Sequence, residues 1–450
     1  MSKYETYKPS GIDWIGEVPI HWEVLKIKQY LKSDKNAIKT GPFGSDLKFE
    51  DLVEDGIKVY NQKSILSNDW TSGEGYITDE KYTQLETCTI YPNDLVITTR
   101  GTIGKAAIFP LNAEKGILHP CLMRIQLNEK KCFLPFILHV INDSTYFIEA
   151  LKFQSNATTI EVIYSDTLKE VKITLPPLTE QLTIANYLDH QTQKIDRLIA
   201  NKKAQAEKLK ELRQIEINNA VTKGLNPNAE LKDSGIDWLG RIPKHWEVKR
   251  MKDLGELVMG KMLQNENTGL DNLKPYLRSF NVQWDRVDAS DIKEMWFSES
   301  ELLQYRLKKF DIIVSEGGEV GRATIWLDEI DECYIQNSVY KITCNKKIIP
   351  YFLLYQFTML GKAGLFEMIV NKVSIGHLTK EKLVTVKFFV PPIKEQIQIA
   401  NYLQKRTTAL DKLLQNIDAQ IEKLQELRKI KIYEAVTGKI KVNAYEEQII

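Results

Sequence analysis

A chain of 450 residues with 43% hydrophobic and 27% charged positions is long enough for two or three domains with substantial cores, and this composition excludes a disordered or fibrous class. Sixty-one Lys and Arg against sixty Asp and Glu leave a formal charge of +1, so total charge announces no nucleic-acid partner; local clustering, rather than the sum, is what attracts a phosphate backbone. The opening MSKYETYKPS is not a cationic and apolar leader, and no apolar run approaches the roughly 18 to 20 residues that span a bilayer, so a cytoplasmic chain with no membrane partner is expected.

The first element is SGIDWIGEVPIHWEV, Ser10 to Val24, which returns as SGIDWLGRIPKHWEV, Ser234 to Val248, with eleven of fifteen positions identical. Trp14, Trp22, Trp238 and Trp246, accompanied by His21 and His245, are expected to anchor equivalent structural junctions. Asp13 and Asp237 read as caps rather than acid catalysts.

Residues 25 to about 170 then mix short β-prone runs with turns. GPFGS, Gly41 to Ser45, is either a turn that packs Phe43 or a loop that approaches a ligand, with Thr40, Ser45 and Lys48 as polar contacts. IKVYNQKSI, Ile57 to Ile65, reads as β-prone, and a helix is expected from Leu134 to His139 and onward. DLVITTRGTIGKAAIF, Asp94 to Phe109, reads as two strands joined by a turn at Gly101 and Gly104, with Lys105 and Arg100 beside it. The glycines either only permit the turn or expose amides and a basic side chain to a phosphate.

PPLTEQLTIANYL, Pro176 to Leu188, opens a helix of about 43 residues by the capping and stop signals: Thr179 as cap, Gly224 and Pro227 beyond the end. It returns as PPIKEQIQIANYL, Pro391 to Leu403, with nine of thirteen identities, and this second helix stops at Gly438. Apolar spacings of three and four place Leu188, Ile195, Leu198, Leu209, Leu212 and Ile215 on one stripe. Leu403, Leu410, Leu414, Ile417, Ile421, Leu424 and Leu427 form the other. Between Leu198 and Leu209 the first stripe weakens to Ala204. An antiparallel coiled coil of the two helices is the most economical use of these faces, with a second side left for a partner.

Between the repeats, residues 249 to about 385 carry the same landmarks in different words. VMGKMLQ, Val258 to Gln264, stands where GPFGS stood. DIIVSEGGEVGRATIW, Asp311 to Trp326, answers the first hairpin with Arg322 for Lys105, and Tyr351 to Met359 reads as a helix. The change of offset between the repeats, 224 to 215, puts a net nine-residue length difference in the intervening segments. Order and repetition together give an α+β chain with a pseudo-twofold internal repeat.

Reactive constellations are not apparent. Five cysteines, Cys88, Cys121, Cys132, Cys333 and Cys344, make neither CxxC pairs nor a disulfide framework, and neither HExxH nor GxSxG occurs. GELVMGKM from Gly255 lacks the Ser or Thr that a phosphate-binding P-loop needs after its lysine.

The duplicated SGIDW and PPxxEQxxIANYL blocks in this order, with GPFGS and the GTIGKAAIF hairpin, resemble the specificity subunit of type I restriction-modification systems over essentially the whole chain. The resemblance implies two similar globular target-recognition domains separated by two long helices. They would divide as 1–170 and 225–385 for the recognition domains, and 171–224 and 386–450 for the helices and C-terminal tail. It also implies double-stranded DNA, two methyltransferase subunits and motor-nuclease subunits as partners. S-adenosylmethionine would lie in the methyltransferase subunits and ATP with Mg²⁺ in the motor subunits, with no cofactor, metal or catalytic site in this chain. Lys39, Arg100, Lys105, Lys261 and Arg322 are then the phosphate-contact candidates. Ser45, Asp46, Asn61 and Gln62 in the first domain, with Arg278, Asn281 and Gln283 in the second, are the base-contact candidates. The alternatives are a coiled-coil scaffold without DNA specificity and a fused enzyme with chemistry of its own.

Overall fold

The computed structural model describes residues 2–155, 162–236, 240–267, 269, 271–369 and 378–443. The fold is α+β, and the chain divides into two compact units, residues 1–203 with 419–450 and residues 204–418. Both boundaries fall inside the long helices Leu178–Lys223 and Ile393–Val436. Each unit therefore owns the front of one helix, the back of the other, and one variable segment.

The long helices begin where the proline pairs end. The Pro177 carbonyl accepts from the Glu180 and Gln181 N–H groups at 2.9 and 3.0 Å, so Thr179 sits inside the first turn instead of capping it as expected. Both helices stop at a left-handed glycine, Gly224 with φ 73° and Gly438 with φ 70°. Inside the first unit the helix halves run antiparallel. Ile184, Ala185 and Leu188 share a core with Ile432, Ala435 and Val436, and farther along Arg428 Nε donates to Asp196 at 3.1 Å. The second unit repeats this with Ile217, Ala220 and Val221 against Ile399, Ala400 and Leu403, and with Arg213 Nε donating to Asp411 at 3.1 Å. The sequence-derived stripe divides: Leu188, Ile195, Leu403, Leu410 and Ile417 are buried, but Leu198, Leu212, Ile215 and Leu427 are exposed. A straight helix of 3.6 residues per turn drifts off a 3.5-residue seam, and Ala206 and Ile217 are buried where the expected leucines have rotated outward.

Conserving the order of motifs has a local cause, because each repeated block bolts onto the next. Trp22 is fully buried and its Nε1 donates to Glu180 at 3.0 Å, with His21 Nε2 2.6 Å from the same carboxylate. Trp246 and His245 hold Glu395 alike, at 3.2 and 2.8 Å. The neighbouring Gln181 accepts from the Phe133 N–H and donates to the Lys131 and Pro176 carbonyls; Gln396 does the same with Ile349, Lys347 and Pro391. Trp14 is half-buried against Phe153, while Asp237 and Trp238 lie outside the described residues. The loop's cap is Ser10 rather than Asp13, its hydroxyl accepting from the Ile12 N–H at 3.1 Å.

The variable segments share a topology that their sequences obscure. In the first, strands Ile38–Thr40, Leu122–Ile125, Leu95–Thr98 and Ala106–Ile108 lie in that order in one antiparallel sheet. In the second, Gly255–Met259, Val339–Cys344, Ile312–Ser315 and Ala323–Ile325 do the same. A further sheet in each contains one parallel pair, Ile57–Tyr60 with Gly116–Leu118 and Asn272–Leu277 with Tyr334–Ile335. The β-prone run from Ile57 breaks at Tyr60: Asn61 accepts from the Lys63 N–H at 3.0 Å and caps a helix, Gln62–Ser67. The later helical expectations appear as Leu134–Leu138, continued by a π turn to Asp143, and as Pro350–Lys362.

Candidate nucleic-acid interface

Four pieces of the first segment converge on one rim. The Gly41 N–H donates to the Leu122 carbonyl at 2.8 Å, and a Cβ at Gly41 would run into the His119 carbonyl, so glycine is what lets GPFGS lie against His119. The His119 N–H donates to Tyr60 O at 2.9 Å, which brings Asn61 and Gln62 alongside. Gln62 Nε2 donates to Thr102 O at 3.1 Å and ties in the GTIGK turn, whose Gly101 and Gly104 are left-handed at φ 67° and 73°. The Thr99 N–H closes the circuit by donating to Cys121 O at 2.8 Å.

The second segment builds the same circuit from other residues. Gly260 donates to Val339 O at 3.0 Å and passes over the Gln336 carbonyl, where a Cβ would clash. Gln336 donates to Leu277 O at 3.0 Å, and Ser279 exchanges bonds with Ser338, N–H to Oγ at 3.0 Å and Oγ to O at 2.7 Å. Arg322 Nη2 donates to Ser279 O at 2.9 Å, and the Glu316 N–H donates to Ser338 O at 3.0 Å. Position for position, Asn61 answers to Arg278, Gln62 to Ser279, His119 to Gln336 and Lys105 to Arg322. The backbone is kept and the side chains are exchanged.

The candidates separate by what they already bind. Ser45 and Asp46 are exposed on the GPFGS loop, Arg100 is exposed, and Lys39 is half-buried on an edge strand. Among the described residues no carboxylate forms an ion pair with Lys39, Lys48 or Arg100. Asn61 and Gln62 are half-buried on the rim, the former donating to Glu74 at 2.6 Å. Arg278 is half-buried, paired with Asp291 and lying 5.2 Å from the Phe280 ring centre, and Gln283 is half-buried with its amide on Phe280 O at 2.8 Å.

Four others are occupied with holding the fold. Lys261 is buried and paired with Glu301, so its charge is not offered to solvent. Asn281 is fully buried, accepting from the Arg278 N–H and donating to Asp288 O and Asp291 O. Arg322 pins Ser279 and lies 3.6 Å from Glu319. Lys105 Nζ donates to Asn142 O at 2.8 Å and lines a cavity of about 740 Å³ with Asp143, Asp196 and Arg428, facing the helices. Sequence reading passed over His119, Gln336 and Ser338. They were findable by aligning the halves on their hairpins, because ILHPCLM and YIQNSVY occupy the same interval between strands.

Packing in GPFGS falls to Leu47 and Pro42, both buried, while Phe43 is 80% exposed; the packing reading of Phe43 is corrected. Burial pushes the Asp94 and Asp311 carboxyls above the usual range, opposed by hydrogen bonds from the Tyr91 and Lys308 N–H groups at 2.7 and 2.8 Å. Burial also pushes the His119 imidazole below its usual value, so at neutral pH the rim presents it as a neutral donor and acceptor, 3.0 Å from Cys121 Sγ. Among the described residues no three His, Cys, Asp or Glu are placed to hold a metal, and no helix is long and apolar enough to cross a membrane.

Away from the rims, exposed apolar positions repeat along the helices. Leu178, Leu182, Leu198, Leu212 and Ile215 recur 215 residues later as Ile393, Ile397, Leu413, Leu427 and Ile430, all exposed.

Comparison with known proteins extends the pattern. The profile of the Type I restriction modification DNA specificity domain matches residues 19–208 and 243–423. The Type I restriction enzyme MjaVIII specificity subunit of Methanocaldococcus jannaschii is 25% identical over 445 residues, covering 94% of each chain. The EcoKI specificity subunit of Escherichia coli K12 is 24% identical, covering 78% of this chain and 75% of its own. Among solved structures, a chain from work on complex assembly and conformational transition of the type I R-M system superposes with a TM-score of 0.71 at 16% identity, covering 94% of this chain and 99% of that one. The HsdS subunit from Thermoanaerobacter tengcongensis gives 0.55 at 16% identity, with coverage of 94% and 98%.

Proposed function

This chain belongs to the type I restriction-modification DNA specificity family, and from that premise we propose that its two rims each read one half of a split DNA target. The observation that carries the proposal is the pair of matching backbone circuits bearing different side chains. A protein that must recognise two unlike short sequences keeps the frame and changes the donors and acceptors on it. The Asn61 and Gln62 amides suit an adenine edge. Arg278 suits guanine once it leaves Asp291, a solvent-screened partner that holds it only weakly. Lys39, Lys48 and Arg100, which form no ion pair among the described residues, are placed to take phosphates and set register.

Each unit carries five of these exposed apolar positions, Leu178, Leu182, Leu198, Leu427 and Ile430 in the first and Leu212, Ile215, Ile393, Ile397 and Leu413 in the second, which supports one docking face per unit for two methyltransferase subunits, to which motor-nuclease subunits are added. In this reading S-adenosylmethionine belongs to the methyltransferase subunits and ATP with Mg²⁺ to the motor subunits. The chain itself supplies recognition and assembly without chemistry, in the cytoplasm.

The test is the methylation pattern written across a genome lacking other such systems when this chain is expressed with its methyltransferase. A split motif is expected, and exchanging residues 25–170 should replace one half only. Unchanged specificity after the exchange overturns the two-reader model. Mg²⁺-dependent cleavage or S-adenosylmethionine binding by the pure chain overturns the non-catalytic role.

A further inference from the structure

Phe43 and Met262 occupy the same place in their segments, two residues after the glycine that crosses a carbonyl on the rim, and they are 80% and 75% exposed. An aromatic side chain carries some 150–250 Å² of surface, and leaving it in water forgoes the gain of burying it. Neither loop needs the residue for its own packing, since Leu47 anchors the first and the backbone circuit holds the second. The rims carry polar groups: Ser45, Asn61 and Gln62 in the first, with Lys39, Lys48 and Arg100, which form no ion pair among the described residues, and Arg278 and Gln283 in the second, where Leu263 and Phe280 are exposed as well. A protein-docking patch gathers its apolar residues into a core depleted of charge. An apolar tip that shares its rim with hydrogen-bonding groups and cations, as Phe43 and Met262 both do, instead matches a side chain that enters a groove of duplex DNA.

We propose that Phe43 and Met262 are apolar probes, one per half-site, that enter a groove of the DNA and press on a base step or a thymine methyl. The proposal rests on the DNA-reading role of the rims and adds the residues by which each rim grips its half-site. The two segments differ in sequence yet retain a large apolar residue at this point, so the contact requires apolar bulk rather than an aromatic ring.

The test uses the full chain assembled with its methyltransferase and duplexes carrying the intact target, the first half-site scrambled, or the second half-site scrambled. Wild type is measured first; failure to prefer the intact target overturns the DNA-reading role itself, before any variant is judged. Given that preference, Phe43→Ala is expected to weaken binding of the intact target roughly ten- to hundredfold, with Phe43→Leu between it and wild type. The penalty should vanish when the half-site assigned to residues 25–170 is scrambled and persist when the other is. Met262→Ala should show the reverse pattern. Wild-type affinity in both alanine variants, or a penalty indifferent to which half-site is scrambled, overturns the probes while leaving the reading intact. Loss of methyltransferase from the assembly in place of loss of DNA affinity assigns these residues to a protein contact and likewise overturns the proposal. Both side chains are exposed, so folding is not at stake.

Discussion

Gln181 and Gln396 each hold three backbone groups at the root of a long helix, and both are fully buried. Truncation leaves an N–H and two carbonyls without partners, and an unsatisfied buried group costs about 1–3 kcal/mol. Gln181→Ala and Gln396→Ala are each expected to lose about 3 kcal/mol in urea denaturation. A change under about 1 kcal/mol would show that water replaces the amide. His139 makes the first unit sensitive to pH. Burial favours its neutral ring, but bonds to Asp143 at 2.9 Å and Asp189 at 2.8 Å outweigh this and raise its pKa. Asp143, despite burial, is held below the usual range by His139 and Arg428. The histidine's stabilisation is complete below its unfolded pKa of about 6.5 and is lost as pH rises through the raised folded value. That of Asp143 is present above about pH 4 and is lost as pH falls through its lowered value. Denaturation followed from pH 6 upward should therefore show the first unit weakening, and His139→Gln should flatten that slope. At the corresponding place the second unit has Tyr355, 3.4 Å from Thr407, and gains no such slope there.

Each long helix ends on a glycine pressed against the tryptophan motif of its unit. A Cβ on Gly438 would strike the ring of Pro19, whereas one on Gly224 would meet the carboxylate end of Glu395 at 3.0 Å and Trp246 at 3.2 Å. Both positions are left-handed, which alone costs an alanine about 1 kcal/mol. A proline ring cannot move aside as a glutamate can, so Gly438→Ala should lower the melting temperature of its unit more than Gly224→Ala lowers that of the other. Equal shifts would mean that strain in the backbone, not the clash, sets the cost. These ends were legible in advance, since glycine and proline punctuate a helix by backbone rules that need no neighbour. The hairpins at Gly101 and Gly318 were legible for the same reason. What escaped was whatever depends on partners distant in sequence. Lys261 and Arg322 look like free cations until Glu301 and Ser279 are folded onto them. Asn281 looks like a reader until its amide is seen bridging Asp288 and Asp291. Phe43 defied the general expectation that a phenylalanine is inside, and only its equivalence with Met262 gives that exposure a meaning.

Within the first unit the stretch that opens at Ser2 meets the stretch that follows the second long helix. The Lys441 N–H donates to Ser2 O at 2.9 Å, the Tyr7 hydroxyl to Gly438 O at 3.2 Å and the Thr174 hydroxyl to Val436 O at 2.7 Å. Ile184, Leu188 and Trp22 complete their core only with Ile432, Ala435 and Val436. Deleting residues 419–450 should therefore strip amide-exchange protection from the first unit while the second, continuous from 204 to 418, keeps its own. Loss of protection in both would mean that the units fold as one. The same meeting imposes an order on biosynthesis. At about 5–20 residues per second, the ribosome spends on the order of tens of seconds between releasing the first variable segment and releasing the helix turn that seals it. The second unit has all its strands and both its helix halves before that moment. The first unit, whose variable segment leaves the ribosome before that of the second, is thus finished after it, and during the interval its unsealed apolar surface is what a nascent-chain chaperone would meet.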